Sequence, residues 1–354
     1  MKGFDRLSPN GNSLGYQAMA DNDFTILDLA QLRALRFASA GGVGGSPFAP
    51  DPFLVVAPVG VEEGDEDALA AWLSRQPCLV IGLSAKGAAP ALLAACDVVL
   101  DDLAELAPLA ANIRRAPLAA MTLVQVLRAT AGMPPAQALV VESLAYATLQ
   151  AGPEFAAWSR GNPPAPKRVA AEEGPAVRIE RDGPRLGLIL NRPCSRNAMT
   201  VELRDALCEA LQLAVADEAI ASVTLSGAGA CFSAGGDLRE FGTAPDPAAA
   251  HAIRSQRLPA TLLLQCADRV TAHLHSACIG SGIELPAFAH RVTATRDTFI
   301  QLPELRFGLI PGAGGCVSLA QRIGRQRTAW LALSGRRINA ATALAWGLVD
   351  EIVG

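Results

Sequence analysis

Two glutamates stand in stretches of sequence that otherwise contain mostly small or apolar residues. Glu284 ends GSGIE (280–284), and Glu304 lies near the start of PELRFGLIPGAGG (303–315). Burial disfavours a charged carboxylate and raises its pKa, and two carboxyl groups with different protonation can perform general acid–base catalysis. The alternatives are an ordinary glutamate in the first turn of a helix for Glu284, and a surface charge in a turn for Glu304.

Glycine-rich turns accompany the two glutamates. We predict that GSG (280–282) precedes an apolar helix, whose first free N–H groups would stabilise an anion. In CFSAGGDLREF (231–241) we predict a strand that ends at Gly235–Gly236 and a helix that follows it. Two N–H groups from such separate segments would form an oxyanion hole. Taken alone, 231–241 is explained better by an ordinary turn before a helix.

The composition predicts a protein with a large buried core. Of 354 residues, 51% are hydrophobic and 18% charged, so the chain is too apolar for disorder. The net charge is −4 and no long basic run is present, which argues against nucleic acid as a partner. None of the eight cysteines forms a CxxC pair, and the first ten residues lack the apolar segment of a signal peptide. We therefore expect buried, reduced thiols in a cytoplasmic protein with no membrane span.

The order of patterns predicts an α/β fold in two parts. Strand and helix patterns alternate from about 53 to 100, and helical patterns follow as far as 160. The Pro-rich, charged stretch 160–175 is the best linker, and residues 1–23 are expected to be loose. After the linker at 160–175 come a predicted hairpin, a helix capped by Thr200, and further alternating elements that suggest stacked right-handed ββα turns. The predicted domains are an N-terminal α/β domain over 1–165 and a second unit over 176–354.

From about residue 176 to 354 the chain resembles the crotonase family, also called the enoyl-CoA hydratase/isomerase family. This resemblance implies a crotonase-like superhelix of stacked ββα turns for the second unit, preceded here by an N-terminal α/β plus helical domain. Five blocks carry it, in the family's order: NRPCSRNAM (191–199), CFSAGGDL (231–238), GSGIEL (280–285), LPELRFGLIPGAGG (302–315) and ALAWGLVDEIV (343–353).

The resemblance implies a role for both glutamates. In hydratases of this family two glutamates hold a water against the double bond of an enoyl-CoA, and Glu284 and Glu304 fall on those positions. One carboxylate would activate the water for attack at Cβ, and Glu304 would deliver the proton at Cα. The backbone N–H groups of Gly236 and Ser281 would form the oxyanion hole for the thioester enolate. The family usually has glycine where Ser281 stands, but serine keeps the N–H.

The resemblance also implies an acyl-CoA thioester as the substrate, with coenzyme A as part of that substrate and no metal or separate cofactor. Most contacts to CoA would be made through the backbone, although a structural role for Arg192 is the alternative at that position. The expected assembly is a homo-oligomer, either a trimer or a dimer of trimers. The residues implied in CoA binding are Arg192, Asn197, Ala198, Ala234 and Asp237.

The function that the resemblance favours is hydration of a 2-enoyl-CoA to a 3-hydroxyacyl-CoA. Enoyl-CoA isomerisation, other crotonase-type chemistry, and a non-catalytic CoA-ester-binding or scaffold subunit are the alternatives. A serine hydrolase is disfavoured because IGSGI (279–283) lacks the outer glycine of a nucleophile elbow. A metal site is disfavoured because no cluster at ligand spacing completes the pair His273 and His275.

The helical region of the first part is similar to a different segment of the same family. Residues 109–158 resemble the helical tail that family members usually carry after the block at 343–353, and residues 96–106 resemble the block that precedes this tail. We therefore predict that the first part is a degenerate half-copy of the fold, whose tail packs on the second part. The alternative is that another chain covers the second part.

Overall fold

The computed structural model describes residues 24–40, 42–59, 65–163 and 173–354. The predictions for residues 1–23, and for most of the linker at 160–175, concern residues outside this set. The α-helices of the described residues are α1 (Leu29–Ala38), α2 (Glu66–Leu73), α3 (Pro90–Ala95), α4 (Leu106–Arg115), α5 (Pro117–Ala129), α6 (Pro135–Gln150), α7 (Pro153–Gly161), α8 (Val201–Ala216), α9 (Pro247–Arg257), α10 (Pro259–Cys266), α11 (Ser281–Glu284), α12 (Gly315–Ser334) and α13 (Ala340–Trp346).

The strands form three sheets. A four-stranded sheet has the order β1-β2-β3-β4, a six-stranded sheet has the order β13-β10-β8-β7-β6-β5, and a three-stranded sheet has the order β12-β11-β9. The strands are β1 (Ile26–Leu27), β2 (Phe53–Val56), β3 (Leu79–Leu83), β4 (Val98–Leu100), β5 (Val177–Asp182), β6 (Arg185–Leu190), β7 (Ser222–Gly227), β8 (Val270–Leu274), β9 (Ala277–Ile279), β10 (Arg291–Thr295), β11 (Phe299–Gln301), β12 (Ile338–Asn339) and β13 (Glu351–Val353).

The first sheet confirms the predicted alternation of strands and helices. All its neighbouring strands are parallel, which requires crossover connections such as α2 and α3. Strand β3 is buried along its whole length, as its apolar sequence LVIGL predicts. One side of this sheet has its own core cluster, in which Trp72 is the largest fully buried side chain.

The second half positions the glycine-rich turns around a six-stranded sheet. The predicted hairpin is present, because β5 and β6 pair antiparallel, and the remaining strands of this sheet pair parallel. Thr200 caps α8 as predicted, since its side-chain oxygen accepts a hydrogen bond from the Leu203 N–H at 3.1 Å. The short β9 and β11 pair parallel and bring the turns after Ile279 and Gln301 side by side.

Helices α4 to α7 pack on the second half, which is the first of the two predicted arrangements. Helix α5 packs along α12, and α6 packs along α9. The Asn112 amide donates to the carbonyls of Leu333 and Ser334 at 3.2 and 3.0 Å. One hydrophobic cluster runs continuously from β2 to the residues before β13. The domain limits at 165 and 176 remain a prediction.

Two local predictions are wrong. Residues 231–241 contain neither a strand nor a helix, because Gly235 has φ +91° and the segment pairs only through the bridges of Ser233 and Gly236. Helix α11 begins at Ser281, inside GSG rather than after it, and it is a single turn, since Pro286 follows it and starts a 3₁₀ turn.

Candidate active site

The turn at Gly280 brings the two glutamates together. It follows β9 and has φ +51°, a conformation that favours glycine. A Cβ at this position would lie 2.7 Å from Oε1 of Glu304 and 3.8 Å from Oε1 of Glu284. The two side chains are 2% (Glu284) and 7% (Glu304) exposed, so the interpretation of Glu304 as a surface charge is wrong. Only a residue without a side chain leaves room for both carboxylates at this point.

Glu284 is held by the backbone at the start of another helix. Its Oε2 accepts hydrogen bonds from the N–H groups of Ala313 and Gly315, at 2.7 and 2.9 Å. A Cβ at Gly315 would lie 2.6 Å from Cγ of Glu284, so glycine permits this close approach. Burial raises the pKa of the Glu284 carboxyl, and the two N–H donors act in the opposite direction by favouring the charged form.

Glu304 has fewer partners than Glu284. It begins the 3₁₀ turn Glu304–Phe307 directly after Pro303. Its Oε2 is buried and has no hydrogen-bond partner among the residues that the structure describes. Burial raises the pKa of Glu304 well above its usual range, and the charge of Glu284 raises it further. The carboxyl of Glu304 is therefore the one more easily kept protonated.

The two predicted N–H groups lie on segments that run side by side. Ser233 pairs parallel with Cys278, and its N–H donates to the carbonyl of Ala277 at 3.1 Å. The segments continue to Gly236 and Ser281, whose N–H groups donate to no acceptor within the described ranges. An oxyanion hole needs unpaired N–H donors of this kind, and its formation by Gly236 and Ser281 stays a prediction.

A cavity of about 570 Å³ connects these groups. Its wall includes Gly236, Ser281, Glu284 and Glu304. Helix α6 of the first half adds Tyr146 and Gln150, and α9 adds Arg254, whose guanidinium lies 4.0 Å from the centre of the Tyr146 ring. Both halves of the chain therefore line one site that places carboxylates, N–H donors and apolar surface around a single space.

Of the five residues implied in CoA binding, the structure places one at the wall of the cavity and four away from it. Asp237 lines the cavity, whereas Arg192, Asn197, Ala198 and Ala234 do not. Arg192 is 7% exposed, and its Nε lies 3.2 Å from Oε2 of Glu202.

Asn197 is fully buried and anchors the chain around it. Its Nδ2 donates to the carbonyls of Ala228, Cys231 and Phe232 at 2.9 to 3.1 Å. These contacts give Arg192 and Asn197 structural roles. Contacts of all five residues with CoA stay a prediction.

Glu142 was missed by the sequence analysis. It lies on α6, is 1% exposed, and accepts hydrogen bonds from the N–H groups of Gly314 and Cys316 at 2.7 and 2.8 Å. Burial, followed by the charge of Glu284, raises the pKa of its carboxyl. The only available signal was a lone acidic residue in the otherwise uncharged helical run PAQALVVESLAYATLQ (135–150).

The remaining polar candidates have structural partners. Nδ1 of His273 lies 2.8 Å from the Thr293 hydroxyl, and Nε2 of His275 lies 3.1 Å from the Gly229 carbonyl. In the part of the chain that is described, no three His, Cys, Asp or Glu side chains form a group suited to a metal ion.

Among the described residues, no helix has the length and apolarity to cross a membrane. Seven cysteines are buried as predicted, and Cys194 is exposed.

Comparison with known proteins identifies relatives of the second half. The model of the family described as enoyl-CoA hydratase/isomerase matches residues 186–354. The Dictyostelium discoideum protein named "Probable enoyl-CoA hydratase, mitochondrial" is 30% identical over 198 residues, which are 53% of this chain and 68% of that protein.

Two other relatives are matched over a smaller share of their length. YhaR of Bacillus subtilis is 35% identical over 46% of this chain, and 2,3-dehydroadipyl-CoA hydratase of Escherichia coli is 31% identical over 47%. The chain spans 64% of the length of each. Among solved structures, an enoyl-CoA hydratase from Thermoplasma volcanium is 35% identical over 51% of this chain and 72% of its own, with a TM-score of 0.47.

Proposed function

Because the chain belongs to the enoyl-CoA hydratase/isomerase family, we propose that it hydrates a 2-enoyl-CoA to a 3-hydroxyacyl-CoA. The observation that carries this proposal is the pair of buried carboxylates, Glu284 and Glu304, on the two sides of Gly280. Hydration needs one group to take a proton from water and another to give a proton to carbon. A single carboxyl would suffice for shifting a double bond, so the pair favours hydration.

The hydrogen bonds distinguish the two roles. Glu284 accepts two backbone N–H groups, which favour its charged form, so we assign it as the base. Glu304 has an unpaired, buried Oε2 and a strongly raised pKa, so we assign it as the acid. Water oxygen then bonds to Cβ while its proton passes to Glu284, and the proton of Glu304 passes to Cα. Transfer of a proton from Glu284 back to Glu304 restores the starting state.

The thioester oxygen becomes negative when Cβ is attacked. In the proposed reaction the N–H groups of Gly236 and Ser281 donate hydrogen bonds to this oxygen, since both are unpaired and both residues line the cavity. Removing one such donor typically costs roughly 100-fold in rate. The proposed chemistry uses only carboxyl and N–H groups of the chain, with CoA as part of the substrate.

The test is the absorbance of the conjugated enoyl thioester with crotonyl-CoA and longer 2-enoyl-CoA substrates. We expect the band to disappear with the native protein, and kcat to fall by roughly 10² to 10⁴ in Glu284→Gln and in Glu304→Gln. Glu218→Gln, at an exposed site, is the matched control and should keep full activity. No turnover of any 2-enoyl-CoA would refute hydration, and appearance of the band from a 3-enoyl-CoA would identify an isomerase instead.

The trimer or dimer of trimers is a separate proposal, based on the family alone. Light scattering of the full chain measures its mass in solution. A mass equal to that of one or two chains would contradict the proposal.

A further inference from the structure

The start of α12 is shared by two buried carboxylates from different halves of the chain. Ala313 and Gly315 donate their N–H groups to Oε2 of Glu284 at 2.7 and 2.9 Å. Gly314 donates to Oε1 of Glu142 at 2.7 Å, and Cys316 donates to Oε2 of the same residue at 2.8 Å. Four successive N–H groups therefore alternate between Glu284 and Glu142.

Glu142 has no other evident reason to be buried. It is 1% exposed, it does not line the cavity, and no ion pair to it is present within the described residues. The nearest cationic group is Arg254, which stacks on Tyr146 and donates to the carbonyl of Gly312. Burying a carboxylate costs several kcal/mol, and an apolar residue of similar size would avoid that cost. Such a residue would, however, leave the N–H groups of Gly314 and Cys316 without acceptors.

We propose that Glu142 is a positioning residue for Glu284, supplied to the active site by the first half of the chain. By binding the N–H groups of Gly314 and Cys316, it holds the turn in which Ala313 and Gly315 face Glu284. Oε2 of Glu284 then stays at the helix start, and Oε1 stays beside Gly280 and Glu304. Without Glu142, the N–H groups of Gly314 and Cys316 compete with those of Ala313 and Gly315 for Oε2 of Glu284. Oε1 of Glu284, the oxygen beside Gly280, then loses its fixed direction.

The shared helix start also links the charges of the two glutamates. Like charges in a low dielectric oppose each other's ionisation, and the pKa of Glu142 is raised in part by Glu284. The substitution Glu142→Gln makes this position neutral at every pH. Other titratable groups around Glu284 on neighbouring elements are unchanged by this substitution; they are Glu304, Arg254, Tyr146 and Cys316.

The experiment compares Glu142→Gln with Glu154→Gln in the full chain. Glu154 is a matched control, because it also accepts two N–H groups at a helix start, those of Leu118 and Ala119, at 2.7 and 2.9 Å. The first measurement is amide hydrogen exchange, followed by mass spectrometry, which needs no substrate. Glu142→Gln should accelerate exchange roughly tenfold in peptides covering 313–316, and Glu154→Gln should do so only around 118–119.

The second measurement is kcat and KM with a 2-enoyl-CoA, and this part rests on the proposed function. In Glu142→Gln we expect kcat to fall roughly tenfold and KM to stay within about twofold. Glu154→Gln should leave kcat unchanged. If the native protein turns over no 2-enoyl-CoA, the proposed function fails while the exchange measurement still judges the role of Glu142.

Two results would overturn the inference. One is exchange at 313–316 that is the same in Glu142→Gln and the native protein. The other is a fall in kcat that Glu154→Gln reproduces. If Glu142→Gln does not fold, Glu142→Asp replaces it, because the shorter side chain keeps the carboxyl group but cannot reach both N–H groups. It should accelerate exchange at 313–316, and a failure to do so would equally refute the role.

Discussion

Two regions of this molecule bury carboxylates in opposite ways. Asp97, directly before β4, is 2% exposed and pairs with Arg128, whose Nε lies 2.7 Å from Oδ1. Nη1 of Arg325 lies 3.5 Å from the same oxygen. Glu284 and Glu304 are buried to a similar depth, but neither has an ion pair in the described part of the chain. Glu284 has backbone donors, and one oxygen of Glu304 has no partner.

The difference separates a structural carboxylate from a reactive one. A buried ion pair keeps both members charged, and breaking it leaves an uncompensated charge. Carboxylates without a counter-charge carry raised pKa values, which suit proton transfer but lower the stability of the folded state. Substitutions in the two regions should therefore have opposite consequences for stability and activity.

The largest effect on stability is expected from Arg128→Met. The substitution leaves Asp97 with the more distant Arg325 as its counter-charge and the Val80 N–H as a donor, and it also removes the donor to the carbonyl of Cys78. We expect the free energy of unfolding, measured with urea, to fall by about 3 kcal/mol. The exposed pair of Arg181 and Asp217 supplies the control, since Arg181→Met should cost far less. Equal losses in the two variants would show that Asp97 does not depend on its partner.

Next in size is the effect of Gly280→Ala on the reaction. The added Cβ would approach Oε1 of Glu304 to 2.7 Å and must displace a carboxylate. We expect kcat/KM with a 2-enoyl-CoA to fall about 100-fold, which corresponds to about 2.7 kcal/mol. Gly183→Ala is the matched control, because Gly183 also has positive φ, +54°, but has nothing within 4 Å of the added atom. Full activity of Gly280→Ala would mean that the spacing at this turn is unimportant.

The smallest effect is a gain in stability for Glu304→Gln. Burial raises the pKa of Glu304 in the folded state above its value in the unfolded state, which is near 4.5. At a pH between these two values the carboxyl is ionised in the unfolded state but still protonated in the folded state. The native protein therefore loses stability as pH rises through this window, and the neutral variant does not incur this loss. We expect Glu304→Gln to be about 1 kcal/mol more stable than the native protein at pH 8, and equal to it at pH 4. A variant less stable at pH 8 would mean that Glu304 is stabilised as an ion.

Local sequence signals predicted most elements of the fold but not the geometry of the turns. The apolar run of β3 and the cap at Thr200 depend on neighbouring residues, and the structure contains both. The strand and helix predicted over 231–241 are absent, because positive φ at Gly235 and pairing with a distant segment decide that path. Helix α11 begins inside GSG (280–282) rather than after it, because only Gly280, with positive φ, stands outside the helix.

The candidate site was predictable to the extent that it lies in local motifs. Glu284, Glu304, Gly236 and Ser281 belong to blocks that resemble the family, and the structure places all four on one cavity. The same blocks did not distinguish Asp237, which lines the cavity, from its neighbours. The free amide of Asn197 could equally have contacted a ligand, and only the three surrounding carbonyls show that it anchors the backbone.

The sequence by itself determined the chemistry available to this protein: two carboxylates in apolar stretches, and glycines where a carboxylate must approach the backbone. Only the tertiary structure decided which residues surround them. Glu142 meets Gly314 across 172 positions of the chain, through the packing of α6 on the second half. Such a contact forms where two apolar faces pack together, and neither face shows in the sequence which surface it will meet. A lone glutamate on one of them gives no sign of which backbone groups it will bind.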